Sequence, residues 1–310
     1  MSDLKLLIKT LILFIFFIPS KVFSSCDFIT SKYINELDDP GKIKGIKIET
    51  PKSRDYITNF ITILTSKSEN IPPKYRKKFK ANLYLSYDFG ECFYTGKIWQ
   101  NGDWKDHIEF NNGQPVRSLN VKLDNGNILN STKFKLLIPE TRSSKNEVLA
   151  SLIIKELGFI SPETFFVPVA VNNVQSNMLF QEDSRKELLE KNYRREGPIF
   201  EGDENLLWSY KNYKNFELEN ISLSRMVNSK WFLRGKSSQA ISLKAFERLQ
   251  NSYLEYALFR DFLDNDHYLE PNDSSSNIFQ NYSFLLAVLN GHHALRPHNR
   301  KFYFNSFLNS

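Results

Sequence analysis

His292, His293 and His298 fall within one short segment, "GHHALRPH", and imidazole is both a metal ligand and a proton carrier near neutral pH. No carboxylate or cysteine lies among them. A loop packed by its own side chains therefore competes with a metal cage. A second gathering, Asp103, Asp106 and His107 in "NGDWKDHIEF", sits beside a turn and reads either as a divalent-ion site or as a solvated hairpin tip. "RGKS" (234–237) has the end of a phosphate-binding loop, but Lys230 stands where the first glycine is required. The chain contains no GxGxxG, GxSxG or HExxH.

The elements that must position these residues are legible as periodicity. Leu83, Leu85 and Tyr87 alternate, as do Val121 and Leu123, and then Phe134, Leu136 and Ile138. Asn101-Gly102 and Asn125-Gly126 are tight-turn pairs and predict hairpins. Ser144 with Glu147 predicts a capping box, followed by an apolar stripe from Val148 to Leu157 and a stop at Gly158. "TFFVPVAV" and "MLF" predict a strand pair, and Ser184 with Glu187 predicts a second capping box. Residues 243–263 and 278–289 carry helical spacing, and Phe302-Tyr303-Phe304 reads as a strand before the Asn305-Ser306 turn pair. Strands with one helix thus precede helices, an α+β order with two lobes.

Composition bounds the rest. A chain of 310 residues with 41% hydrophobic content and 26 Phe can bury a sizeable core. The balance of 41 basic against 35 acidic residues, net +6, is too mild and too scattered to imply nucleic acid. The one basic run, "PPKYRKKFK" (72–80), reads as a solvated helix face or as a contact for an anionic surface such as lipid headgroups or envelope polymer. Lys5 and Lys9, the apolar run "LILFIFFI" and the Val22-Phe23-Ser24 site predict a signal peptide over 1–24, with an uncleaved N-terminal membrane anchor as the alternative. Export makes a disulfide between the only two cysteines, Cys26 and Cys92, the expected pairing, against two separate buried thiols. Trp99, Trp104, Trp208 and Trp231 are scattered and read as core, as rim, or as platforms for glycan or polypeptide.

From "FKLLIPETRSSKNEV" through "ELGF", Pro162, Asn172 and "FQED" to "PHNRKFYF", the order of motifs resembles the CotH-type (spore-coat protein H) atypical kinase family, over roughly 115–310. The resemblance implies an α+β, two-lobed protein-kinase-like architecture. It consists of a strand-rich N-terminal region (26–115) and a kinase-like domain (116–310) whose helical C-terminal lobe is open to truncation at Ser310. It implies ATP and Mg²⁺ as cofactors and phosphoryl transfer to Ser/Thr of an exported or surface protein. Such transfer needs a Lys on the phosphates, a Glu to hold it, an Asp base and metal-binding groups. Lys122 or Lys135 is the candidate Lys, Glu147 its partner, Glu182 a hinge acceptor or a surface carboxylate, and Asn299 the metal ligand. The pattern breaks where an Asp is needed, because the position five before Asn299 is Ala294 and no carboxylate lies between 285 and 310. His293 is left as the candidate base. Three readings stay open: an incomplete reading frame, an exported pseudokinase, and a non-catalytic envelope or surface module binding glycan or polypeptide. A truncated lobe predicts that Phe302, Phe304 and Phe307 are poorly covered.

Overall fold

The computed structural model describes residues 25–27, 31–68, 70–111, 113–203, 223–259, 276–291, 294 and 299–309. Residues 1–24, where a signal peptide is expected, lie outside them, as do Trp208, His292, His293 and His298. In chain order the elements are β1 (Ser25–Cys26), α1 (Ser31–Ile34), β2 (Ile43–Glu49), α2 (Ser53–Thr65), β3 (Phe79–Tyr87), β4 (Gly90–Gln100), β5 (Ile108–Asn111), β6 (Gln114–Arg117), β7 (Leu119–Leu123) and β8 (Lys133–Leu137). There follow α3 (Lys145–Glu156), β9 (Thr164–Val171), β10 (Val174–Glu182), α4 (Lys186–Lys191), β11 (Ile199–Asp203), β12 (Leu223–Met226), α5 (Lys236–Phe259), α6 (Ser276–Val288) and β13 (Lys301–Tyr303).

Seven strands form a closed barrel in the order β4-β3-β2-β9-β10-β8-β7, with β7 returning to β4. This overturns the two-lobed kinase-like architecture. Alternation shows which residues face inward, but it does not show which strand a strand pairs with. Two long-range pairings, β4 with β7 and the parallel β2 with β9, close the strands into a ring. The outer edge of β4 is shared, with Phe93 and Cys92 pairing β1 and Gly96–Gln100 pairing β7. Strands from both sides of residue 115 build the ring.

Inward positions follow the pleat. Ile46, Ile48, Leu83, Leu85, Ile98, Val121, Phe134, Leu136, Val169 and Phe180 are all buried in one apolar core. Phe180 stacks between Phe134 at 4.7 Å and Phe165 at 4.8 Å between ring centroids. Gly96 stands at the seam, where a Cβ would lie 2.5 Å from the Lys122 carbonyl oxygen. Only glycine lets β4 and β7 approach this closely. Cys26 and Cys92 face each other across β1 and β4 and form the disulfide.

Several local expectations are corrected. Residues 53–65, inside the region expected to hold only strands and turns, form α2. Its Tyr56 joins the barrel core, and Asn59, Phe60 and Ile63 are buried with it. The basic run 72–80 is not a helix face, because a short 3₁₀ turn, Pro73–Tyr75, leads directly into β3. Asn101-Gly102 does not join a hairpin. β4 pairs β3 and β7, whereas β5 pairs β6. Neither capping box forms. Ser144 makes no capping bond, and Glu187 accepts a hydrogen bond from Thr132 Oγ1 at 2.7 Å. The hairpins β7–β8 and β9–β10 pair as expected.

The described part of the C-terminal region is a three-stranded sheet, β12-β11-β13, with α5 against it. Phe200, Ala245, Leu249 and Phe304 form a second small core, with Phe302 packed against it. Phe304 is buried there, while Phe307 is exposed with the Arg195 guanidinium 4.5 Å from its ring centroid.

Candidate functional site

Lys133 and Lys135 alternate with Phe134 and Leu136, so packing the phenylalanine inward turns both lysines to the outside of the barrel. Cross-strand register then sets their neighbours. Asn120 of β7 and Gln181 of β10 flank Lys135, and Trp99 of β4 is paired with Asn120. One row over, Lys122 stands between Lys97 and Lys133. The outcome is a polar, cationic flank on β4, β7, β8 and β10.

The lysines of this flank are not equivalent. Lys133 is paired with the buried Asp183 at 2.7 Å, and its Nζ lies 5.6 Å from the centre of the Trp99 ring. Arg185 Nε reaches the same Asp183 oxygen at 2.7 Å. Lys301 of β13 is paired with Glu201 of β11 at 3.6 Å, and Arg225 of β12 holds that carboxylate at 2.7 Å. Lys135 Nζ, by contrast, makes no hydrogen bond or ion pair with any described residue. Arg142 nearby keeps its Nε without a partner, and the buried His107 keeps Nδ1 without one.

The electrostatics follow from this arrangement. The charge of Lys301 and burial pull Lys135 down to about 7, and Arg142 adds to the effect, while Asp183 and Glu201 oppose it. Burial lowers Lys133, with Asp183 working against it. Burial would raise the Asp183 carboxyl, yet Lys135 and Lys133 together hold it well below the usual carboxylate range. Burial also lowers His107, whose ring lies against Gly102 (φ +85°), where a Cβ would have no room.

Of the residues singled out in the sequence, Lys135 and Glu147 share this flank, linked by Gln181, whose Nε2 donates to Glu147 Oε1 at 2.7 Å. Lys122 is exposed and lies a row away. Glu182 faces inward and is buried. It accepts from Ser131 Oγ at 2.7 Å and from the Glu163 amide at 3.3 Å, and it pairs with Lys191 at 3.2 Å, so it staples loops and α4 to the barrel. Asn299 precedes the buried Arg300, whose Nη2 reaches Ser283 Oγ at 3.3 Å. His293 lies outside the described residues. Asp103 is held by Arg76, Asp106 is exposed and His107 is buried, and among the described residues no three His, Cys, Asp or Glu are grouped to hold a metal ion. Trp99 carries Lys78 at 5.1 Å and Lys133 over its ring, and Trp231 carries Arg234 at 5.4 Å.

The sequence reading missed Lys133, Gln181, Asp183 and Lys301. The first three lay one or two positions from residues already chosen, on the same alternating strands. Lys301 arrives from the far end of the chain and carries no local signal. A scan of the sequence against models of known protein families gives no match, and neither does a search of curated proteins. No described helix is long and apolar enough to cross a membrane.

Proposed function

We propose that this chain is an exported binding module that holds an anionic ligand, bearing phosphate or carboxylate, on the β4–β7–β8–β10 flank. The observation that carries this reading is the unpaired Lys135 ammonium, set among Lys133, Arg142 and Lys301, where cations outnumber Asp183 and Glu201. An uncompensated cation in a packed setting costs stability, and an anion relieves that cost by pairing with it. Export is supported by the disulfide and by the signal-like run over 1–24. The envelope or surface location expected from the sequence accords with such a module.

The placement of Lys135 and Glu147 on one flank makes Mg·ATP a ligand to test beside simpler anions, as the CotH resemblance also recommends. Thermal unfolding is followed with inorganic phosphate, citrate, Mg·ATP and neutral oligosaccharides. A ligand at 100 times its dissociation constant stabilises by about 2.7 kcal/mol. Stabilisation by anions, weakened by salt and absent in Lys135→Met, is the expected result. Stabilisation by oligosaccharides alone overturns the anion reading. A gain with Mg·ATP well above that with phosphate assigns the site to a nucleotide.

A further inference from the structure

An ammonium that serves only to attract anions works best when it is always charged. Lys133 and Lys301 each have a carboxylate partner, Asp183 at 2.7 Å and Glu201 at 3.6 Å. Lys135 does not. Its Nζ has no acid partner among the described residues, it is crowded by Lys301, and its proton is held so loosely that much of it is neutral near pH 7. A neutral lysine beside a second cation has the character of an amine nucleophile.

We propose that Lys135 captures the carbonyl carbon of an anionic aldehyde or 2-oxo acid as a reversible imine, while Lys133, Arg142 and Lys301 hold the anion. The inference rests on the anion-binding reading and adds the class of ligand. The Lys135 lone pair attacks the carbonyl carbon and the C=O π pair moves to oxygen. A proton passes from nitrogen to oxygen to give the carbinolamine. Nitrogen then expels the hydroxyl, which leaves with a proton as water, and the C=N bond is formed. The balance is amine plus carbonyl to imine plus one water, with no oxidant or reductant.

The elements around Lys135 set these charges, and α3 adds the Glu147 carboxylate, held by Gln181 at 2.7 Å. β8 supplies Lys133, β7 supplies Asn120, and β10 supplies Gln181 with Asp183 just beyond it. The turn after β8 supplies Arg142, while β13 and β11 supply Lys301 and Glu201. His107 lies close enough to feel the Lys135 charge. The apolar barrel wall beneath, from Phe134 and Leu136, fixes the strand that carries the amine.

The probe is pyridoxal 5′-phosphate, which joins an aldehyde to a phosphate. The full disulfide-bonded chain is incubated with a limiting amount, reduced with borohydride, and its peptides are mapped. One label at Lys135 is expected, slowed by excess inorganic phosphate, with a rate that rises with pH and is half-maximal near pH 7. Lys135→Arg is expected to lose the label while phosphate still raises its unfolding temperature. If the arginine does not pack, Lys135→Met is expected to lose the label, and phosphate stabilisation is then read on the wild type alone. Label spread evenly over exposed lysines such as Lys122 overturns the inference, as does a half-maximum near pH 10. Stabilisation by phosphate without label at Lys135 sinks the imine and leaves the binding reading standing. Neither stabilisation nor label sinks both.

Discussion

Gln181 gives its side-chain N–H to Glu147 across 2.7 Å, so the carboxylate expected to cap a helix is instead tied to the barrel wall beside Lys135. The helix start pays no attention to Ser144, which makes no capping bond. Two substitutions separate these roles. Ser144→Ala is expected to change stability by less than about 0.5 kcal/mol, where a true N-cap costs about 1 kcal/mol. Glu147→Ala leaves the buried Gln181 amide without its acceptor and is expected to cost about 1–3 kcal/mol. Urea unfolding of both variants checks the contrast, and equal effects would refute it.

Lys135 gives a second prediction through linkage. Its folded pKa, about 7, lies below its ordinary value of 10.5. Below pH 7 it is protonated in both states, and the folded state carries the full penalty of the charge. Between pH 7 and about 10 the unfolded chain binds the extra proton, so this group makes stability rise with pH. Lys135→Met is therefore expected to be more stable than wild type at pH 6, by at most about 5 kcal/mol at about 1.4 kcal/mol per pK unit. The advantage should shrink steadily towards pH 10. A constant difference across that range would show that the amine titrates normally.

Asp183 works in the opposite sense. Lys135 and Lys133 depress its pKa despite its burial. The stability it contributes is fully present above about pH 4 and is lost as pH falls through its lowered value. Asp183→Asn strands Lys133 and Arg185 and is expected to cost about 3–5 kcal/mol at pH 7. It should also flatten the decline in stability below pH 4. Acid titration of wild type and variant, followed by circular dichroism, provides the comparison.

The seam of the barrel is the fourth test. Gly96→Ala drives a Cβ to 2.5 Å from the Lys122 carbonyl oxygen, in backbone that is paired on both sides. The pairing of β4 with β7 must open to accept it. A loss of about 2 kcal/mol or more is expected, with faster amide exchange confined to β4 and β7. Wild-type exchange in the variant would mean that the seam has slack.

Cys26 and Cys92 are 66 residues apart. By loop entropy their bridge contributes roughly 4 kcal/mol. The Cys26→Ser, Cys92→Ser double variant should unfold at a correspondingly lower temperature. Reduction of wild type should reproduce that loss.

Legibility in the sequence divides along a physical line. Inward residues of β3, β7 and β8 could be read because alternation is local, and the β7–β8 and β9–β10 pairings followed from adjacency. Closure could not be read, since Gly96 against Leu123 and Ile48 against Val171 are register facts between distant strands. α2 escaped because its β-branched Ile57, Thr58, Ile61, Thr62 and Ile63 resemble a strand, and tertiary burial of Tyr56 and Phe60 overrides that preference. Of the candidate site, Lys135 and Glu147 were chosen from type and order. Glu182 was misplaced because its pairing with Phe134 turns it inward. Lys301, which sets the character of Lys135, is visible only once β13 lies beside β11.

The parallel pairing of Ile46–Ile48 with Val169–Val171 has a further consequence for a chain emerging from a ribosome or a translocation pore. The β2–β3–β4 meander is available early, but its two outer edges wait for β7 and β9. The β4 edge presents unpaired amides until residue 123 has emerged, and the β2 edge until residue 171 has. Self-association during biogenesis is therefore a hazard of the order in which the ring is made, and an edge-binding chaperone would relieve it without touching the finished protein.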